Sequence, residues 1–348
     1  MARATVLLFG SEFGDTNGLA KIFWGVRLIM EHHYATRLNS FRGHPPARLS
    51  VIDAIRVIAG VSGISAIELN YPQHFVGETA PAVLAAAVAA GLRVTALNLR
   101  FDGADFAAGA FTHPQPKTRH AAIQLANAAV DLAAANSISH VILWMGPDGF
   151  DYPFQADYGA LWDLEVAGFR EVAQRNRAIQ ISVEYKPSDP RRTALIRSMA
   201  DALLAVQAVD LQNFGVTIDF CHSLMAGEQP AAAAALALRT GRLFGVHLND
   251  GYGPADDGLM VGSVHLWQTL ELLLELRKGG FAGTIYFDTF PDRVDPAAEC
   301  AANVQSVQRM QQLLDRIPAS ELGHIRKNQD AIAATQLIQN LVLGPKNI

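Results

Sequence analysis

From about residue 38 the chain alternates short apolar, β-branched runs with longer Ala- and Leu-rich stretches, the order that covers a parallel sheet with helices. The runs predict strands at 66–70, 94–99, 140–144, 179–184, 215–219, 243–248 and 284–288, with 37–41 as the first of eight. Helical stretches are expected between them, at 49–61, 78–90, 118–136, 157–175, 190–206, 229–240, 266–279 and 296–315. Eight strands alternating with eight helices is the count of an α/β fold closed as a single (β/α)8 barrel. An open doubly wound sheet is the rival, but it is weakened because neither GxGxxG nor GxxxxGK[ST] occurs. Residues 318–343 read as a further amphipathic helix, with Ala331, Ala334, Ile338 and Leu341 on one face and Leu337 at its edge. The expected organisation is therefore an N-terminal segment without an assigned element (1–37), a barrel (38–316) and a C-terminal helical arm (317–348).

Polar residues placed where an apolar strand stops fall at the C-terminal face of such a barrel, where its sites form. Four strands end this way, in ISVEYKP, GVTIDFCHS, FGVHLND and TIYFDTFP, which single out Glu184, Asp219, His247 and Asp288. Three carboxylates converging at one mouth repel one another unless a cation joins them. With one imidazole they form an oxygen-rich set suited to a divalent ion, Mn2+ before Mg2+ or Co2+, with positions left for two substrate oxygens. Lys186 stands two residues after Glu184 and so shares its side of the strand, within reach of a bound substrate. His222, Asp256 and Asp257 form a looser second group that could hold another ion bridged by Asp219.

Composition narrows the partners. The 28 basic residues against 33 acidic ones give a charge of -5, which offers no footprint for nucleic acid or an anionic membrane. No window approaches the roughly 20 apolar residues of a spanning helix, and the opening MARATVLLFG lacks a cleavage pattern after it. The two cysteines, Cys221 and Cys300, lack CxxC spacing and fit small apolar fillers in a reducing compartment. A cytoplasmic protein is expected.

The motifs FTHPQPKTRHAA, LWMGPDGFDYPFQADY, VEYKPSDPRR, TIDFCHS, HLNDGYGPADDG and YFDTFP, spread over residues 38–345, resemble the xylose isomerase-like TIM-barrel superfamily. Within it they are most similar to L-rhamnose isomerase and related bacterial sugar isomerases. The resemblance implies a metal held by Glu184, Asp219, His247 and Asp288, and a second, catalytic one by Asp219, His222 and Asp257. It implies that Lys186 contacts the carbonyl oxygen of a sugar and that Trp144 walls the pocket. Phe150 and Phe154 are expected to join Trp144 as water-excluding walls, and Asn249, which follows His247 into the loop, to contact substrate. It also implies a homo-oligomer, tetramer or dimer.

Two features depart from the family pattern. The position two before Asp257 is Ala255 rather than an acid, so Asp256 would have to substitute. The Phe-His-Asp motif that opens the sugar ring in xylose isomerase is replaced by Glu68-Leu69-Asn70-Tyr71, with His74 nearby, which points away from xylose itself. The expected reaction is aldose–ketose isomerisation of a small or deoxy sugar by a 1,2-hydride shift, with Lys186, Asp257 and His222 as the catalytic groups. Ketose 3-epimerisation, C-glycoside cleavage and non-catalytic sugar binding are the alternatives.

Overall fold

A computed structural model describes residues 32–43 and 48–344. Eight parallel strands pair in sequence order and close on themselves, so the single (β/α)8 barrel is borne out. They are β1 (Tyr34–Arg37), β2 (Ala66–Tyr71), β3 (Arg93–Leu99), β4 (His140–Trp144), β5 (Gln180–Glu184), β6 (Phe214–Asp219), β7 (Leu243–Leu248) and β8 (Ile285–Phe287). β1 closes the barrel, pairing Tyr34 with Ile285 on one side and Ala35 with Ala66 on the other.

The expected first strand, 37–41, is corrected. The strand is Tyr34–Arg37, and Leu38–Arg42 turns into a short helix. The physical reason is spacing: Leu38 and Phe41 are the buried pair, three apart, which is a helical interval. The expected unassigned segment therefore gives up 34–37 to the barrel, and residues 1–31 lie outside the described ones.

Helices close the outer layer, each burying one stripe. The helix Pro116–Ala135 buries Ala122, Ala126, Ala129, Val130 and Ala133, a 3–4 spacing whose small residues seat it closely on the strands. Helix starts follow side-chain caps, such as Asp157 accepting from the Ala160 amide and Asp295 from the Ala298 amide. The helix expected at 190–206 begins only at Met199, because Ser198 caps it by accepting from the Asp201 amide. The preceding residues form a strap in which Thr193–Ala194 pairs antiparallel with Gly149–Phe150. At the end of the chain, 318–343 forms two helices, Ala319–Asn328 and Ala331–Leu343. Gln329 in the left-handed region and the Asp330 cap separate them, and Leu337 is the buried residue of the second.

The barrel interior is polar as well as packed. His140 Nε2 lies 2.8 Å from the Ser182 hydroxyl, which lies 2.6 Å from that of Thr217. Strand alternation then carries Ser182 up to Glu184, Thr217 to Asp219 and Gly245 to His247, one layer nearer the mouth.

Candidate active site

The four strand-end residues named from the sequence meet in that upper layer. One ligand atom each from Glu184, Asp219, His247 and Asp288 lies within 4.8 Å of the others, and all four residues are buried. Nδ1 of His247 is 3.3 Å from Glu184 Oε1, and its Nε2 faces Glu68 Oε2 at 3.4 Å. Asp288 follows β8, where its amide still donates to the Leu248 carbonyl, and its Oδ1 lies 3.2 Å from Arg37 Nε without hydrogen-bond geometry.

The charges press on one another strongly. Burial and the nearby Asp256, Glu184 and Asp288 push Asp219 up to about 7, against the pull of His222. Burial raises Asp288 as well. Burial alone would raise Glu184, but His247 and His222 outweigh it and hold the carboxyl at about 2. Burial opposes a charge on His222, yet Asp219, Asp256 and Glu184 raise it to about 9. His247 is raised in the same way by Glu184 and Glu68. Two imidazoles thus take up protons to offset carboxylates that a cation would offset better.

The second group forms with one substitution. Asp219, His222 and Asp256 bring ligand atoms within 4.8 Å of one another. His222 Nε2 is 3.1 Å from Asp256 Oδ2, and Lys186 Nζ donates to the same oxygen at 3.0 Å. Burial of Asp256 is outweighed by His222 and Lys186, which hold it well below the usual carboxylate range. Asp257, expected as ligand and base, instead accepts from the Tyr252 amide at 2.7 Å, which turns its carboxylate into the 251–258 loop.

A cavity of about 220 Å3 opens onto these groups, lined among others by Arg37, Arg100, Trp144, Lys186, Asp189 and Phe290. At ~30 Å3 per water it holds about seven waters, room for a monosaccharide. Trp144 forms a wall, and Gly146 is required beneath it, since a Cβ there would come within 2.2 Å of the ring. Neither Phe150 nor Phe154 is among the lining residues. The strap pairing of Phe150 with Thr193 sets its ring 4.8 Å from Tyr158 instead. Asn249 is fully buried and spends its amide on the scaffold, donating to Asp219 Oδ2 and the Asp288 carbonyl and accepting from the Cys221 amide. It therefore holds a ligand in place rather than facing substrate.

His74 fills no ring-opening role. Its Nδ1 accepts from the Asn70 amide, its Nε2 lies 2.9 Å from Asn39 Oδ1, and burial lowers it to about 3. Glu68, Arg37, Arg100 and Phe290 were not anticipated. For Glu68 the available signal was an acid two residues before Asn70 in an otherwise buried strand.

Residues 57–315 match the family model described as xylose isomerase-like TIM barrel. The chain belongs to that family. Among sequences, this xylose isomerase-like chain is 28% identical to the xylose isomerase of Thermus thermophilus over 212 residues, 59% of this chain and 55% of that protein. It thus spans about half the length of the curated relatives it matches. Among solved structures, D-allulose 3-epimerase from Methylomonas sp. is similar at TM-score 0.64 and 16% identity, covering 80% of this chain and 97% of that one. The 3-keto-D-glucoside 4-epimerase of E. coli follows at TM-score 0.59 and 17% identity, covering 81% and 99%. At such identities the structural likeness speaks to the fold.

A xylose isomerase-like barrel typically uses a divalent metal, and the residues present fit one. Ligands on opposite sides of an ion bonded at ~2.1–2.4 Å stand roughly 4.2–4.8 Å apart, and the ligand atoms of the four-residue cluster all lie within 4.8 Å of one another. Asp288 Oδ1, Asp256 Oδ1 and His222 Nδ1 are also buried without a hydrogen-bond partner, which a protein tolerates poorly unless something else satisfies them.

Proposed function

We propose that the chain is a metal-dependent sugar isomerase that interconverts an aldose and a ketose of small or deoxy type by a 1,2-hydride shift. The observation that carries this reading is the three-way contact of Lys186, Asp256 and His222 on the wall of the cavity, beside the four-residue cluster. Glu184, Asp219, His247 and Asp288 would hold the ion, Mn2+ first among the candidates. A divalent cation bound there supplies Lewis-acid polarisation of a carbonyl and its neighbouring hydroxyl.

The chain's own groups then have defined tasks. The hydrogen on the hydroxyl-bearing carbon crosses with its electron pair to the adjacent carbonyl carbon. The hydroxyl proton leaves to Asp256, whose buried Oδ1 has no hydrogen-bond partner. Lys186 donates a proton to the former carbonyl oxygen. The 3.0 Å contact between Lys186 and Asp256 returns the proton and closes the cycle. Trp144 and Phe290 line the cavity and exclude water from the transfer.

Ketose 3-epimerisation is the second reading. It needs two carboxylates exchanging a proton with one substrate carbon, and Glu184 and Asp288 both line the cavity. The shorter reach of Asp288 and its pairing with Arg37 at 3.2 Å weigh against it. One experiment separates the readings: manganese-loaded protein is incubated with a panel of aldoses and ketoses in deuterated water. Hydride shift gives isomerised product without deuterium at carbon, and epimerisation gives product labelled at C3. Absence of EDTA-sensitive turnover across the panel would contradict both and leave a sugar-binding barrel.

A further inference from the structure

Lys186, Arg37 and Arg100 line the cavity beside His222, and they differ in what they meet. Lys186 contacts Asp256 and Asp189, at 3.0 and 3.1 Å. Arg37 is at ion-pair distance from Asp288, 3.2 Å, and lies over the Phe290 ring at 4.6 Å. Arg100 has no hydrogen bond or ion pair from its guanidinium among the described residues. Its Nε is buried without a partner, and its Cζ sits 5.1 Å over the Trp144 ring. Glu184 feels its field but makes no ion pair with it. Asp102, two residues further on, is exposed and accepts from Gln73 instead.

A guanidinium set over an aromatic ring, with a buried donor unmet, is expensive unless a ligand completes it. Its planar fork matches the two oxygens of a carboxylate or of a phosphate. Sugar hydroxyls could fill its donors but would leave its charge uncompensated. Position adds direction. Arg100 follows β3, which lies four strands from β7, the strand of His247, and so across the barrel mouth from it. The strand of Glu184, β5, is two away from β3, and Lys186 Nζ lies 5.9 Å from the same Trp144 ring, so a substrate lying across the mouth from His247 toward Trp144 meets Arg100 with one of its ends.

We infer that the substrate carries an anionic group, a carboxylate or a phosphate monoester, at a terminal carbon, and that Arg100 beside Trp144 binds that group. The inference rests on the sugar-isomerase reading for the orientation of the substrate, not for the anion site itself.

The test uses the full-length, manganese-loaded protein and matched trios of pentoses and hexoses: the neutral sugar, the uronate oxidised at the terminal carbon, and the terminal phosphate. Binding is measured by calorimetry, and turnover in parallel. One anionic arm is expected to bind at least tenfold more tightly than its neutral partner, and the arm that wins identifies the anion. R100Q should cut the affinity of that arm at least tenfold and collapse the preference, and R100K should recover part of it. The wild-type preference tests for the anionic group without any variant, and R100K, which keeps the charge, tests its assignment to Arg100 if R100Q folds poorly. Equal binding within every trio, or a preference that survives both R100Q and R100K, overturns the inference. Arg100-dependent anion binding without turnover of any sugar would sink the isomerase reading and leave the anion site standing; turnover indifferent to terminal charge would do the reverse.

Discussion

Oδ2 of Asp256 lies 3.1 Å from Nε2 of His222 and 3.0 Å from Nζ of Lys186, whereas its neighbour Asp257 accepts from a backbone amide. Two adjacent acids thus have opposite fates, and the difference is testable. D256N should lower kcat by about 10²–10⁴, the range of a lost general base. D257N, which disturbs only the 251–258 loop, should stay within about threefold of wild type. Steady-state kinetics of the two variants check this, and the reverse ranking would return the base to Asp257.

Asn249 should matter for metal affinity although it faces no cavity. Its amide holds Asp219 Oδ2 at 3.0 Å, and removing such a supporting contact costs typically ~10–100-fold in affinity. N249A should weaken manganese binding by that factor, measured by titration of the metal-free protein, while D219N should lose at least as much. A variant N249A with wild-type affinity would show that the carboxylate needs no support.

Acid should destabilise the fold through two buried histidines. Burial lowers His74 and His140 from 6.5 to about 3, so both are neutral in the folded chain at pH 5 and charged in the unfolded one. The folded values are depressed, so the stability these groups contribute is full above 6.5 and falls as pH drops from there toward 3, by a few kcal/mol in order of magnitude. H74Q keeps an acceptor for the Asn70 amide and a donor for Asn39, so its urea-unfolding free energy should fall less steeply than that of wild type between pH 7 and 4. Parallel curves would contradict the assignment.

Glu165 predicts the opposite slope. It is fully buried, and burial and the adjacent Asp148 raise it well above 4.5. Asp148 already accepts from the amides of Ala110, Phe111 and Thr112 and from the Thr112 hydroxyl, so its carboxylate is fixed in place beside Glu165. With the folded value raised, stability is full below 4.5 and declines as pH climbs through the folded value. E165Q cannot ionise, so its melting temperature should exceed that of wild type by a margin that grows from pH 5 to pH 9.

The barrel and its main residues were legible because one physical pattern marks both. A β-branched run that stops at Glu184, Asp219, His247 or Asp288 announces a strand and a mouth residue together. The first strand was misplaced because YATR is short and weakly apolar, and its identity comes from pairing with Ile285 and Ala66. The choice between Asp256 and Asp257 depends on which one the Tyr252 amide captures, a loop contact without periodicity. Phe150 looked like a wall and is turned aside by its strap. Arg37 ends β1 and Arg100 follows β3 as ordinary surface arginines would, and only the closed barrel sets them against Phe290 and Trp144.

The central claim is that one divalent cation sits among Glu184, Asp219, His247 and Asp288. The direct measurement is anomalous diffraction at the manganese edge from crystals grown with Mn2+. A single strong peak is predicted within about 2.0–2.4 Å of one atom from each of the four residues. No peak among them, with the carboxylates and imidazole keeping their positions, would contradict the account.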